Sequence, residues 1–317
     1  MDNNTLHEIQ TIAFYNIENL FDTEDDEHTD DEDFLPNSKK RWTEKRYQNK
    51  LRKIGATIAQ MGYNDTAPAI VGLAEVENES VVEDLIENKT LKSFNYDFVH
   101  YNSSDERGID VAFIYKTSQF EVEHSETFSV YLEDKEGDRD YTRDILLVSG
   151  YLKGEYIHLI VNHWSSRREG EKETEFKRLA ASNKVLSIIS SLQDEHEDPK
   201  IIVMGDFNDN PNNKSITNLE DKAQLFNPFK TLWTRDRGSL NHNFEWHLFD
   251  QILFSTSFLH SISSKMDFHH ADIYDDKFLT QYHGKFKGQP FRTYVGKKYK
   301  GGYSDHFPVF VQFKTEK

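Results

Sequence analysis

The chain of 317 residues contains no cysteine. Disulfides, thiolate zinc sites and cysteine nucleophiles are thereby excluded. Basic residues are also scarce relative to acids: 38 Lys and Arg stand against 55 Asp and Glu, a formal charge of −17. A chain this negative does not coat nucleic acid through overall basicity. It can still act on a polyanion where divalent metals or a local basic patch offset the field. No apolar run reaches the ~18 residues of a membrane span. The opening Met1-Asp2-Asn3-Asn4-Thr5 has neither a basic nor an apolar stretch, so no signal peptide is read there. These absences predict a soluble, cytoplasmic protein, or a secreted or periplasmic one if a leader has been removed. No internal repeat and no Pro/Gly/Ser-rich linker divides the chain, which predicts one domain over residues 1–317.

What is present is apolar and aromatic enough for a large core: hydrophobic residues make up 36% and aromatics 13%, which excludes global disorder. Short apolar, β-branched runs predict strands at 9–15, 69–74, 96–101, 110–115, 120–127, 145–152, 156–161, 201–204, 249–254 and 307–313. Three segments have helical periodicity. Over 45–61, Tyr47, Leu51, Ile54, Ile58 and Met61 recur at spacings of three and four, with Gly62 suited to the C-cap. Over 80–86, Ser80 and Glu83 have the spacing of a capping box. Over 173–192, Phe176, Leu179, Ala180, Val185, Leu186 and Ile189 are expected on the inner side. Intermixed strands and helices with short connections predict an α/β or α+β domain with mixed sheets.

Two segments have little such order. Residues 24–33 hold eight acids and read as a solvated loop; a calcium loop lacks here the EF-hand spacing and its central Gly. Residues 263–303 read as irregular. Within them Lys285, Lys287, Arg292, Lys297, Lys298 and Lys300 interleave with Phe286, Phe291, Tyr294 and Tyr299. That mixture suits phosphate and ring contacts, and equally a solvated loop.

The chemistry sits at strand ends. The stretch Ile201-Ile202-Val203-Met204-Gly205-Asp206-Phe207-Asn208 reads as a buried strand followed by a turn with a carboxylate and a carboxamide two residues apart. An ordinary Asx turn has the same pattern. Other strand ends carry Asn16, Glu75, His163, Asp250, Asp305 and His306. Taken together these are hard oxygen ligands with imidazoles among them, a set that selects Mg²⁺ or Mn²⁺, and less well Ca²⁺, over zinc.

The ordered series Asn16-x-x-Asn19-Leu20, Leu73-Ala74-Glu75-Val76-Glu77-Asn78, Arg107-Gly108-Ile109-Asp110-Val111-Ala112, Asn162-His163-Trp164-Ser165, Gly205-Asp206-Phe207-Asn208, Phe249-Asp250-Gln251-Ile252-Leu253 and Ser304-Asp305-His306-Phe307-Pro308-Val309 resembles the endonuclease/exonuclease/phosphatase, or DNase-I-like, superfamily. The resemblance runs from about residue 9 to 315, with the acidic loop 22–36 and the basic, aromatic loop 263–303 as insertions. It implies a four-layer sandwich: two mixed β-sheets face to face, flanked by helices. It implies that Glu75 binds the principal Mg²⁺, with Asn16 and Asp305 beside it. Asp250 would orient His306 on the scissile phosphate, and Asp206 would position or deprotonate the attacking water. Asn208 would hold a phosphate oxygen, His163 would stand near the leaving group, and Arg143 would contact a phosphate. The expected activity is metal-dependent phosphodiester hydrolysis on DNA or RNA. The alternative on the same scaffold is a phosphatase or phosphodiesterase acting on a small molecule or lipid head group. No protein partner is inferred, and a monomer is expected.

Overall fold

A computed structural model describes residues 7–26, 29–259 and 265–316. Glu27 and His28 of the acidic loop, and residues 263 and 264 of the basic segment, lie outside the described residues, as do Met1–Thr5. The main strands are β1 (His7–Leu20), β2 (Ile70–Val76), β3 (Tyr96–His100), β4 (Asp110–Lys116), β5 (Phe120–Phe128), β6 (Ile145–Leu152), β7 (Glu155–His163), β8 (Lys200–Asp206), β9 (Leu225–Phe226), β10 (Asp250–Ser255), β11 (Met266–Ile273) and β12 (Val309–Glu316). The helices are α1 (Glu44–Ile58), α2 (Glu79–Glu87), α3 (Glu175–Glu195) and α4 (Lys214–Ala223).

The strands form two six-stranded mixed sheets, in the orders β11-β12-β1-β2-β4-β3 and β9-β10-β8-β7-β6-β5. Each sheet has one parallel pair at its centre, β1 with β2 and β7 with β8, flanked by antiparallel neighbours. The crossover within each pair carries a helix, α1 or α3, as parallel strands require.

Strand alternation sets the layers. Ile12 and Phe14 of β1 meet Ile202 and Met204 of β8 in the core between the sheets. The intervening Ala13 and Tyr15 pack outward with Leu51, Ile54 and Ile58 of α1. Ile201 and Val203 pack outward on the other side with Val185, Ile188 and Ile189 of α3. Three apolar layers thus separate four layers of secondary structure, the architecture the motifs imply. No helix among the described residues is long and apolar enough to cross a membrane.

Local expectations fail where polar side chains do the work of apolar ones. Along α3 the expected Val185 and Ile189 do face inward, but Phe176 is 52% exposed, while Arg178 and Ser182 are buried. Arg178 pairs with Asp209 at 2.8 Å, and Ser182 Oγ donates to Ser215 O at 2.7 Å. Helix α2 is capped by Asn78, whose side chain accepts from Val81 N at 3.0 Å, two residues ahead of Ser80. Helix α1 ends at Ile58 with Ala59 as its C-cap, short of Gly62. The supposed loop 263–303 contributes the edge strand β11, whose alternation is broken by a bulge between Phe268 and His270. The acidic loop is not wholly solvated: Phe34 and Asp31 are buried, and Phe34 stacks on Phe21 with centroids 4.3 Å apart.

Candidate active site

The carboxyl ends of both parallel pairs open at the same edge, where an α/β sheet exposes its chemistry. In β7 and β8 the ladder runs straight to the end, pairing Asp206 with His163, and β10 sets Asp250 against Asp206 from the other side. Gly205 is required for this closeness: a Cβ there would lie 2.3 Å from Asn162 O. In β1 and β2 the ladder is bulged. Its register shifts between Asn16 and Leu20, and Glu18 (φ 53°), Asn19 (φ 52°) and Glu75 (φ 67°) occupy the left-handed region. Such bulges cost backbone energy and re-aim side chains.

Asn16 joins the two sheets. Its Nδ2 donates to Asp206 Oδ2 at 3.0 Å and reaches Glu75 Oε1 at 3.4 Å. Glu75 Oε2 accepts from Asn19 N at 2.8 Å, and Arg107 Nη2 donates to Asn19 Oδ1 at 2.9 Å. Ser304 Oγ donates to Asn16 O at 2.6 Å, which brings Asp305 and His306 to the same place. Asp305 pairs with Arg292 at 2.6 Å. Burial raises the Asp305 carboxyl, but His306, Arg292 and Lys50 outweigh it and hold it low. Next to it, burial and the Asp305 charge raise Glu18, which lies 3.9 Å from the buried Lys50.

On the other side, His306 Nδ1 meets Asp250 Oδ2 at 2.7 Å, and Ser239 Oγ donates to the same oxygen at 2.5 Å. His306 Nε2 and His163 Nε2 stand 3.9 and 3.8 Å from Asp206 Oδ2. Asp206, Asp250 and His306 each offer a ligand atom within 4.8 Å of the others. The two imidazoles are driven apart. Burial opposes charge on His306, but Asp250, Asp206 and Asp305 prevail and raise it well above the usual histidine range. Burial, Arg143 and Arg107 depress His163 well below it. The acidic neighbours thus favour the charged form of His306, and burial with two guanidinium groups favours the neutral form of His163. Burial and Asp250 raise the Asp206 carboxyl, against the pull of His306. Separated acid and base environments of this kind mark proton-transfer sites.

Arg143 is buried behind His163, donating to Asp105 Oδ1 at 3.1 Å and Trp164 O at 2.8 Å. It acts there as a fixed positive charge beside His163. Asn208 accompanies it: its backbone N donates to Asp206 Oδ1 at 2.9 Å and its Nδ2 to Trp164 O at 3.0 Å. One amide hydrogen of Asn208 is left for another acceptor. All the residues read from the motifs thus gather at one edge. The reading missed Glu18, Lys50, Arg107, Arg292 and Ser239. Glu18 and Arg107 lie inside quoted motifs and Arg292 inside the basic segment. Lys50 and Ser239 carry no sequence signal.

The sequence matches the profile of the Endonuclease/Exonuclease/phosphatase family over residues 11–315, and the chain belongs to that family. Among solved structures it is similar to an endonuclease/exonuclease/phosphatase family protein from Bacteroides thetaiotaomicron (TM-score 0.62, 18% identity, covering 98% of this chain and 99% of that one). It is also similar to D. rerio TDP2 complexed with a single-strand DNA product (TM-score 0.59, 15% identity, 97% and 99% covered). A third is a mannosyl-6-phosphatase from Bacteroides thetaiotaomicron (TM-score 0.59, 18% identity, 96% and 99% covered). No curated protein matches the sequence significantly. At these identities the likeness is one of fold. The family is one of phosphoric ester hydrolases that generally depend on divalent metal, and the hard donors Glu75, Asp305 and Asn16 at one edge, with no thiol in the chain, fit such an ion.

Proposed function

We propose that this protein hydrolyses phosphodiester bonds with Mg²⁺ or Mn²⁺, and that its substrate is nucleic acid. The observation that carries the reading is the joint: Asn16 bonded to Asp206 at 3.0 Å, with His306 and His163 at 3.9 and 3.8 Å on either side of that carboxylate. A phosphodiester is anionic and repels hydroxide until its charge is screened. A cation held by Glu75, Asn16 and Asp305 would supply Lewis-acid stabilisation of the phosphoryl oxygens. The His306 imidazolium, held by Asp250, donates to a non-bridging oxygen as negative charge grows there. Asp206, its carboxyl raised by burial, orients the attacking water and takes its proton. Asn208 offers its free amide hydrogen to a second phosphate oxygen. Neutral His163 stands at the leaving oxygen with Arg143 fixed behind it.

Nucleic acid is favoured over a small ester by an aromatic pair beside this edge. Leu240 forms a β-bridge to His306. From there the strands Leu240–His242 and Glu245–His247 form a hairpin whose two-residue turn is Asn243 (φ 50°) and Phe244 (φ 68°). An aromatic residue in the second position of such a turn is strained, since glycine is preferred there. Phe244 is nonetheless 57% exposed, and it stacks on Phe286 at 5.6 Å and 3° with Lys285 over both rings. A ring platform with a cation suits base stacking, roughly 13 Å along the strand from His306. The test is a substrate panel with and without EDTA. Expected are oligonucleotide cleavage that needs Mg²⁺ or Mn²⁺, and in Phe244→Ala a rise in oligonucleotide KM of roughly 5- to 100-fold, the value of one stacked base. Bis(p-nitrophenyl) phosphate turnover stays unchanged in that variant. Phosphate release from sugar phosphates without oligonucleotide cleavage overturns the nucleic-acid assignment. Inactivity on every ester with both metals overturns the phosphoesterase reading.

A further inference from the structure

We propose that Asp26, Asp31 and Glu77 form a calcium site, separate from the catalytic edge, that clamps the acidic loop to the end of β2. The three side chains come from two places in the chain, yet one carboxylate oxygen of each lies within 4.8 Å of the others. Asp31 is 1% exposed, and its Oδ1 has no hydrogen-bond partner. Its other oxygen accepts only from Asp26 N, at 3.1 Å. A buried carboxylate oxygen without donor or cation leaves a strongly solvated group unsatisfied. Among the described residues no Lys or Arg forms an ion pair with Asp26, Asp31 or Glu77.

The surroundings hold the ligands rather than neutralise them. Glu77 Oε2 accepts from Asp22 N at 2.7 Å and Asn78 Nδ2 at 3.2 Å, which fixes the carboxylate and leaves Oε1 for an ion. Asp26 is exposed, so the cluster is open to solvent on one side. Calcium holds six to eight oxygens at about 2.3–2.6 Å in flexible geometry, so carboxylates up to about 5 Å apart can share one ion. Magnesium demands a tighter octahedron and dehydrates reluctantly, which suits a loop of this kind less well. Water and main-chain carbonyls complete such a shell. The clamp has a clear mechanical object: Phe34, three residues past Asp31, seats on Phe21 and meets Trp42 edge-on at 6.1 Å. Binding therefore stabilises the loop that Asp22 ties to Glu77 and Asn78 at the end of β2.

The test is calcium binding to the full chain, by titration calorimetry and thermal unfolding in saturating Mg²⁺. Expected is one Ca²⁺ per chain and a rise in Tm of several degrees, both lost in Asp31→Asn and in Asp26→Asn and both kept in Glu75→Gln. Asp26 is exposed, so Asp26→Asn keeps the question answerable if Asp31→Asn fails to fold. No Ca²⁺-dependent rise in the unaltered protein overturns the proposal. So does a rise that survives Asp26→Asn and vanishes in Glu75→Gln, which assigns the ion to the catalytic edge.

Discussion

The two central units, β1-α1-β2 and β7-α3-β8, have the same plan and opposite temperaments. Each is a parallel pair with a crossover helix, and each helix sends one fully buried cation to the loop beyond the strands: Lys50 from α1 and Arg178 from α3. In the first unit the strand ends are bulged and the charges are labile. Burial raises Glu18 and lowers Lys50, so the pair 3.9 Å apart is pushed toward neutrality. In the second the strands end straight and the buried cation is locked in place. Asp209 receives Arg178 at 2.8 Å, Arg167 at 2.7 Å and Ser215 Oγ at 2.5 Å. The contrast suits the division of labour proposed above. A side that exchanges a metal ion benefits from groups that redistribute charge. A side that positions water and a leaving group benefits from groups that do not move.

The largest effects expected lie in turnover, and they separate the two units. Asp206→Asn and His306→Ala each lower kcat by at least about a hundredfold, the scale of losing a positioned proton-transfer or charge-stabilising group. More Mg²⁺ does not restore them. Glu75→Gln loses as much at low Mg²⁺ and recovers part of it as Mg²⁺ rises, because its defect is in metal affinity. Metal titrations of kcat in all three variants decide the matter. Equal recovery in all, or in none, erases the proposed division between a metal side and a phosphate side.

Next comes stability, where the buried cations can be compared directly. Replacing one partner of a buried pair typically costs about 3–5 kcal/mol, because the other charge is left behind. Arg178→Met is expected at about 3 kcal/mol, since it strips Asp209 of one of two guanidinium partners and also abandons Thr174 Oγ1 and Glu171 O. Lys50→Met is expected to cost less, because Glu18, already raised by burial, takes up a proton once Lys50 is gone. Denaturant midpoints at constant m-value rank them. The reverse ranking means that the Lys50 bonds to Thr293 Oγ1 and Tyr303 O, at 2.6 and 2.8 Å, matter more than charge lability.

The same contrast explains how much the sequence disclosed. The second unit was readable because its strands run straight into their polar ends: Asn162-His163 follows the apolar run Leu159-Ile160-Val161, Asp206 follows Ile201 to Gly205, and Asp250 opens a third strand. The first was harder, because Glu18 reaches the edge only through a positive-φ bulge that no hydrophobic pattern announces. Glu75 is legible as the polar end of the apolar run 69–74, whereas Glu18, inside the span of the first motif, is not. Buried cations were invisible for a different reason. Lys50 and Arg178 sit at positions of a helix that periodicity assigns to apolar residues or to solvent, and their partners are distant in sequence. Strand β11 was lost because a bulge interrupts the alternation by which a strand is recognised.

The smallest effect expected tests what holds the two histidines apart. His306 must be charged to donate to a phosphate oxygen, so activity falls as pH rises through its pKa. Burial alone would place that pKa low, and Asp250 is the foremost of the carboxylates that lift it. In Asp250→Asn the lift from Asp250 is gone, so the alkaline limb of kcat/KM moves to lower pH, by about 1–3 units for loss of a contacting opposite charge. Ser239 Oγ still has the amide oxygen of the new residue to bond, so the loop 239–247 keeps its place. His163 does not share this limb: it is neutral by burial and by Arg143, and removing Asp250 leaves both in force. A limb that stays in place assigns the charge of His306 to Asp206 and Asp305. In that case Asp250 serves orientation alone, and the asymmetry between the two imidazoles is a property of the whole acidic edge.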